Sequence, residues 1–272
     1  MEMIIPQEEK KALYPVAIFK EGWHLCFKNL KSFIGPYLVI YIPIFLLALI
    51  QMGTVRSNKP DFMQLLMGLA NIILSGWGSV VIINIAKKIS GGEICDFSAS
   101  FKNSGKHLLS YLGASAIVLL VLSAIILCAV ALSIFAGHIF WKANMVLTFL
   151  LICVFVVAAV SGVVYFSVRW GLYGILCVTE EASPIKSLKR SFRLVQNFVT
   201  AFVGDVGLLI LTAFVFLIPM VIIAFVVNDK MVINFISLFY NMAVKLLLTP
   251  LWSLVFIGFY KKAGECIPET KE

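Results

Sequence analysis

Three ionisable residues lie inside or beside long apolar segments of the chain, namely Lys245, Arg169 and Asp205. A charge in the hydrocarbon of a membrane costs a few kcal/mol or more unless it is paired or reaches water, so such residues are candidates for function. Lys245 lies about 15 residues from the end of the last apolar segment, on the order of 20 Å along a helix. It is suited to bind an anion or a lipid headgroup in a cavity. Alternatively, its long side chain extends to the outer membrane surface.

Arg169 and Asp205 carry opposite charges at similar depths in two apolar segments. Asp205 lies about two helical turns inside the fifth segment, and Arg169 lies at the inner end of the fourth. We therefore expect a buried Arg169–Asp205 pair, with Asn84 as a further polar partner. Such a pair either fixes helix packing or forms a ligand-binding set together with Lys245.

A second set of basic residues recurs on three amphipathic segments, 15–31, 96–108 and 183–197. In the third segment apolar residues recur at steps of three or four, which predicts one apolar helical stripe. The basic collar, as we call the positions off these stripes, consists of Lys20, Lys28, Lys102, Lys106, Lys186, Lys189, Arg190 and Arg193. Each basic residue near an anionic membrane surface contributes about 1 kcal/mol, so the collar predicts contact with anionic lipid. The alternative is that these helices only anchor and orient the spans.

Neither a catalytic motif nor a metal-binding motif is present. The six cysteines are scattered without a C-x-x-C pair, which argues against a disulfide framework and a zinc site. His24, His107 and His138 are far apart, and we expect them at membrane interfaces. Glu180 and Glu181 precede a helix and are expected to favour its N-terminus electrostatically. We find no nucleotide-binding, hydrolase or metalloprotease fingerprint. We therefore predict no enzyme, no cofactor and no metal.

The composition identifies an integral membrane protein. Hydrophobic residues make up 61% of the chain and charged residues 13%, with a mean hydropathy of +1.00. Soluble domains carry about twice that charged fraction. The net charge of +8 does not indicate nucleic-acid binding, because the basic residues adjoin apolar segments.

Six membrane spans are predicted from the apolar segments. They are residues 33–52, 62–86, 109–136, 145–178, 198–227 and 232–260. The fourth contains 34 residues, about 51 Å of helix, which exceeds the bilayer core. We expect it to leave the membrane near Arg169 and to continue as an interfacial segment.

The distribution of lysine and arginine predicts the orientation. Of the 22 basic residues, 17 lie on the side of the two termini and the amphipathic segments. The positive-inside rule then places both termini in the cytoplasm and the chain in the inner membrane. Glu2, Glu8 and Glu9 precede any apolar core, so the first span is expected to act as an uncleaved signal.

The chain is predicted to be a single all-α membrane domain, 1–272, built from three repeats. Each unit, approximately 15–90, 91–178 and 179–262, has an interfacial helix followed by a two-span hairpin. Because every unit starts and ends on the same side, the repeats would be parallel, related by an axis along the membrane normal. Alternatively, basic linkers between unrelated hairpins produce the same pattern.

Three stretches carry a family resemblance: RWGLYGILCVTEEASPIKSLKRSFRLVQNFVTAFV, AIFKEGWHLCFKNLKSFIG and TPLWSLVFIGFYKK. They resemble a group of prokaryotic six-helix membrane proteins that includes the membrane domain of some glycerophosphodiester phosphodiesterases, together with stand-alone relatives. The resemblance implies the six-helix fold. It implies no phosphodiesterase activity, because no such domain is present in this sequence.

Two functions are compatible with these patterns. The first is a non-enzymatic protein that binds or transports a lipid or another amphiphilic anion. The second is a scaffold or accessory subunit of another envelope complex, or a homo-oligomer, docked through small-residue faces. The second span offers such a face at Gly68, Ser75, Gly76 and Gly78.

Overall fold

The computed structural model describes residues 14–54, 62–93, 97–140, 145–227 and 230–266, and within these ranges the chain is all-helical. The helices are α1 Pro15–Lys28, α2 Leu30–Thr54, α3 Phe62–Ser90, α4 Phe97–Phe140, α5 Met145–Arg169, α6 Tyr173–Thr179, α7 Pro184–Asn197, α8 Val199–Val226 and α9 Lys230–Glu265. Six helical stretches are long and apolar enough to cross a membrane. The predictions of an all-helical fold and of six helices able to span a membrane are confirmed for the described residues.

The core of the bundle lies at one end. Its buried residues come from α1, α6 and α7, from the last turns of α3 and α9, and from the first turns of α2 and α8. We call this the basic end, because Lys87, Lys261 and Lys262 also lie there. Farther along, the helices are apolar on their outer faces, and Leu120 of α4 is 70% exposed. Such faces are covered by lipid chains when the protein is in a membrane.

The first and third amphipathic segments form separate helices, whereas the second does not. The chain breaks between α1 and α2 at Asn29, with φ −113° and ψ 20°, and between α7 and α8 at Phe198, with φ −132° and ψ 35°. The second segment continues into the third span as one 44-residue helix, α4. Its predicted N-cap, Asp96, lies outside the described residues, as does Trp141 of the following loop.

The fourth apolar run ends its long helix at Arg169, as predicted. In the short helix that follows, α6, the side chains of Ile175, Leu176, Cys177 and Val178 are buried against the protein. The interfacial position expected for this segment stays a prediction.

Glycines allow the helices to approach closely. A Cβ at Gly22 of α1 would lie 2.7 Å from Cγ2 of Val255 in α9. In α3, a Cβ at Gly76 would lie 2.7 Å from Leu112, and one at Gly78 would lie 2.8 Å from Ile40. Much of the small-residue face of the second span therefore packs against α4 and α2 within the chain.

Candidate functional site

All eight residues of the basic collar are exposed. They lie on α1, on the first turns of α4 and on α7. Helix α7 buries Leu188, Leu194 and Val195 against the bundle. Ile185, which the periodicity placed on the buried stripe, is instead 71% exposed. Helix α7 thus combines exposed collar charges with an exposed apolar side chain, as interfacial helices do.

Arg169 ends α5 between two aromatic rings. Its guanidinium carbon lies 5.3 Å from the ring centre of Tyr165 and 5.2 Å from that of Phe192 on α7, within the range of cation–π attraction. The backbone is held by Ser191, whose Oγ donates to Arg169 O at 2.9 Å and accepts from Leu172 N at 3.2 Å. Arg169 Nη1 is buried without a hydrogen-bond acceptor among the described residues. A positively charged donor is therefore oriented but unsatisfied.

Asp205 is fully buried in α8, and neither of its carboxylate oxygens has a hydrogen-bond partner among the described residues. The predicted Arg169–Asp205 pair is therefore wrong. The predicted third partner, Asn84, instead donates from Nδ2 to Ser104 Oγ at 2.9 Å. Residue counting suggested a pair because it placed the two charges at similar depths. It could not say in which direction around its helix each side chain points.

Lys245 lies on the exposed surface of α9 and makes no hydrogen bond or ion pair with a described residue. Whether its side chain extends to the outer membrane surface stays a prediction. No hydrogen bond or ion pair joins Lys245, Arg169 and Asp205 to one another within the described part of the chain. The three residues therefore do not form one polar cluster.

A polar cluster at the basic end ties four helices together. Glu180, after α6, accepts from Arg190 Nε at 2.8 Å and from Tyr260 Oη at 2.7 Å. Lys87 Nζ donates to Thr179 O at 3.2 Å. Lys261 Nζ on α9 likewise donates to a backbone carbonyl at the end of α3, at 2.7 Å. From the sequence, Glu180 is expected only to favour a helix N-terminus. No pattern in the sequence indicates its contact with Tyr260, 80 residues away.

The histidines are not gathered around a metal. His107 is buried, because the first turns of α4 turn this face towards the bundle. The interfacial position expected for the histidines stays a prediction. His24 and His138 are exposed. Among the described residues, no group of three or more His, Cys, Asp or Glu side chains is placed to hold a metal ion.

Comparisons with protein-family models, with curated proteins and with solved structures found no match for this chain. The resemblance to the membrane domain of glycerophosphodiester phosphodiesterases therefore stays a prediction.

Proposed function

We propose that this chain is a non-enzymatic inner-membrane protein that binds anionic lipid, or another amphiphilic anion, at the cytoplasmic leaflet. The observation that carries the proposal is Arg169, whose buried Nη1 has no acceptor among the described residues. An unsatisfied charged donor costs more than an unsatisfied neutral one, so a ligand that supplies an acceptor is favoured.

The chemistry of Arg169 fits a phosphate group. A guanidinium forms short, charge-assisted hydrogen bonds to phosphate oxygens in a fixed planar geometry. The rings of Tyr165 and Phe192 restrict the orientation of the guanidinium, which reduces the entropy lost on binding. Arg169 ends α5 beside α7, the helix that bears four collar residues. A phosphate that approaches Arg169 therefore passes a surface that is positively charged, as Arg169 is.

The collar supplies a less specific attraction for the same lipids. Its exposed lysines and arginines lie beside exposed apolar side chains, Val16 and Phe27 on α1 and Ile185 on α7. Apolar groups of this kind insert at the boundary between headgroups and acyl chains. We infer that α1 and α7 lie in the headgroup region while the six spans cross the bilayer.

The orientation in the membrane and the three-repeat arrangement are part of the same proposal. The positive-inside rule places the basic end and both termini in the cytoplasm. The similar backbone breaks at Asn29 and Phe198 support a structural repeat between the first and third units. The unbroken α4 makes the second unit a divergent copy.

The scaffold hypothesis has one supporting observation. A Cβ added at Gly68 would have no described atom from elsewhere in the bundle within 4 Å, and Leu65 and Leu69 beside it are exposed. Gly76 and Gly78, the other glycines of that face, already pack against α4 and α2. The surface left for a partner is therefore smaller than the sequence suggested.

Native mass spectrometry tests the proposal on the full chain in detergent with equal amounts of phosphatidylglycerol and phosphatidylcholine. We expect retention of phosphatidylglycerol, weakened about tenfold in Arg169→Ala and partly restored in Arg169→Lys. Lys245→Ala is the matched control, since Lys245 is a span lysine without partners among the described residues. Equal retention of the two lipids, or equal losses in Arg169→Ala and Lys245→Ala, contradicts the proposal.

A further inference from the structure

A groove with a volume of about 300 Å³ runs between α3 and α4. Its lining is formed by Asn71, Ile72, Ser75, Gly76, Ser79, Tyr111, Leu112 and Ser115. Gly76 packs against Leu112 on the groove wall. Five of the eight lining side chains carry a hydroxyl or amide group, although the groove lies between two membrane spans.

Most of these polar groups are held by neighbouring groups of the protein. Ser79 Oγ donates to Ser75 O at 3.0 Å, and Ser115 Oγ shares a 2.9 Å hydrogen bond with Tyr173 Oη. Asn71 differs from them. Its Oδ1 accepts from Ser75 Oγ at 3.4 Å, but its Nδ2 has no partner among the described residues. Asn71 is only half-buried, so these amide donors are accessible from the groove.

From its position along α3, a candidate membrane span, the groove is expected to lie within the membrane and to open to its hydrocarbon. Measured along α3 from Lys87, Ser79 is about 12 Å and Asn71 about 24 Å away. Apolar side chains flank the opening, since Ile72 is 60% exposed and Leu69 57% exposed. A free amide donor at this depth is costly unless a ligand accepts its hydrogen bond.

We propose that the groove binds the headgroup of a neutral lipid of the diacylglycerol type. The lining contains no Lys, Arg, His, Asp or Glu, so a charged phosphate would lose its hydration without gaining a counter-charge. A volume of about 300 Å³ leaves room for a glycerol unit with two ester groups. The ester carbonyls accept from Asn71 Nδ2, and the free hydroxyl exchanges hydrogen bonds with the serines.

The acyl chains of this lipid lie along the exposed apolar surface at the groove opening, beside Leu69 and Ile72. This site is distinct from the collar and from Arg169, which attract negative charge at the basic end. It also does not depend on the proposed anion binding, because its lining is uncharged. The basic end therefore selects lipids with a negatively charged headgroup, whereas the groove selects lipids with an uncharged one.

A diazirine-bearing diacylglycerol tests the proposal by photo-crosslinking to the full chain in nanodiscs. We expect crosslinks to map to α3 and α4 and to fall about tenfold in Asn71→Leu. Asn241→Leu is the matched control, because Asn241 on α9 bonds Ser237 one turn away, as Ser75 bonds Asn71. Crosslinking of Asn241→Leu should stay within about twofold of the unmodified protein.

A second pair of variants covers the case in which Asn71→Leu does not fold. Ile72→Trp adds bulk at the groove opening and should reduce crosslinking, whereas Ile73→Trp, exposed but outside the lining, should not. Crosslinks spread over the whole bundle overturn the proposal. Equal losses within either pair, or competition by phosphatidylglycerol as effective as that by unlabelled diacylglycerol, also overturn it.

Discussion

At the scale of single residues, Arg169 Nη1 and both carboxylate oxygens of Asp205 lack a hydrogen-bond partner among the described residues, but the two residues differ in their surroundings. Arg169 lies between aromatic rings that attract its charge, and it is only half-buried. Asp205 is fully buried. In the proposed function a lipid phosphate supplies the acceptor for Arg169, whereas no ligand is proposed for Asp205, whose burial without a partner costs free energy.

Asp205→Asn removes a buried acid that no described residue binds. We expect the free energy of unfolding to stay the same or to rise by about 1 kcal/mol, because no ion pair is lost. Thermal unfolding of the variant and of the unmodified protein in detergent measures this change in stability. A loss of about 3–5 kcal/mol would show that Asp205 is paired after all.

The thiol of Cys26 is predicted to be unreactive. Cys26 is buried in α1, outside the spans, and burial raises the pKa of its thiol to about 11. The thiolate fraction at neutral pH is then about one in ten thousand. We expect N-ethylmaleimide to label the half-buried Cys266 well before Cys26 in intact membranes, as read by peptide mass spectrometry. Equal labelling rates would show that α1 detaches from the core.

At the scale of elements, periodicity predicted the helices well but predicted burial less well. The starts of α1 and α7 at Pro15 and Pro184, and the end of α5 at Arg169, follow from local sequence. The burial of α6 does not follow from local sequence, because the same seven apolar residues are suited both to a protein core and to a bilayer. Nor does the outward position of Ile185, which depends on how far α7 extends beyond its neighbours.

The contact between α1 and α9 depends on Gly22. An alanine Cβ there would lie 2.7 Å from Val255 Cγ2 and 3.2 Å from Val255 N, so the helices would have to separate. We expect Gly22→Ala to lower the free energy of unfolding by about 1–3 kcal/mol. Gly35→Ala is the matched control in α2, where nothing lies within 4 Å of the new methyl group. It should raise stability by about 0.5–1 kcal/mol through helix propensity. A reversed order of the two melting temperatures would refute this packing.

The cluster around Glu180 makes a second prediction about elements. Glu180→Ala removes the acceptor for Arg190 and Tyr260 and should cost about 1 kcal/mol, a modest value because Arg190 is 59% exposed. The neighbouring Glu181 is exposed, and Glu181→Ala keeps the same net charge. Denaturation of the two variants side by side separates a specific contact from a general charge effect, and equal stabilities would argue against the contact.

At the scale of the whole molecule, hydropathy alone predicted six spans because a bilayer requires long apolar helices. It could not predict that tight packing concentrates at the basic end. Apolar side chains are equally stable against lipid and against one another, so composition does not distinguish the two. The groove between α3 and α4 was missed for a related reason, because isolated serines in a span are typical of helix packing.

Electron spin resonance of spin-labelled lipids in reconstituted vesicles tests whether the basic end recruits anionic lipid. We expect phosphatidylglycerol to associate at least about threefold more strongly than phosphatidylcholine, with the preference reduced at about 1 M salt. Replacing Lys186, Lys189 and Arg193 by Gln should reduce it further, whereas Lys245→Gln should not. These three substitutions spare Arg190, which binds Glu180. Equal association of the two lipids with the unmodified protein at low salt would contradict the account.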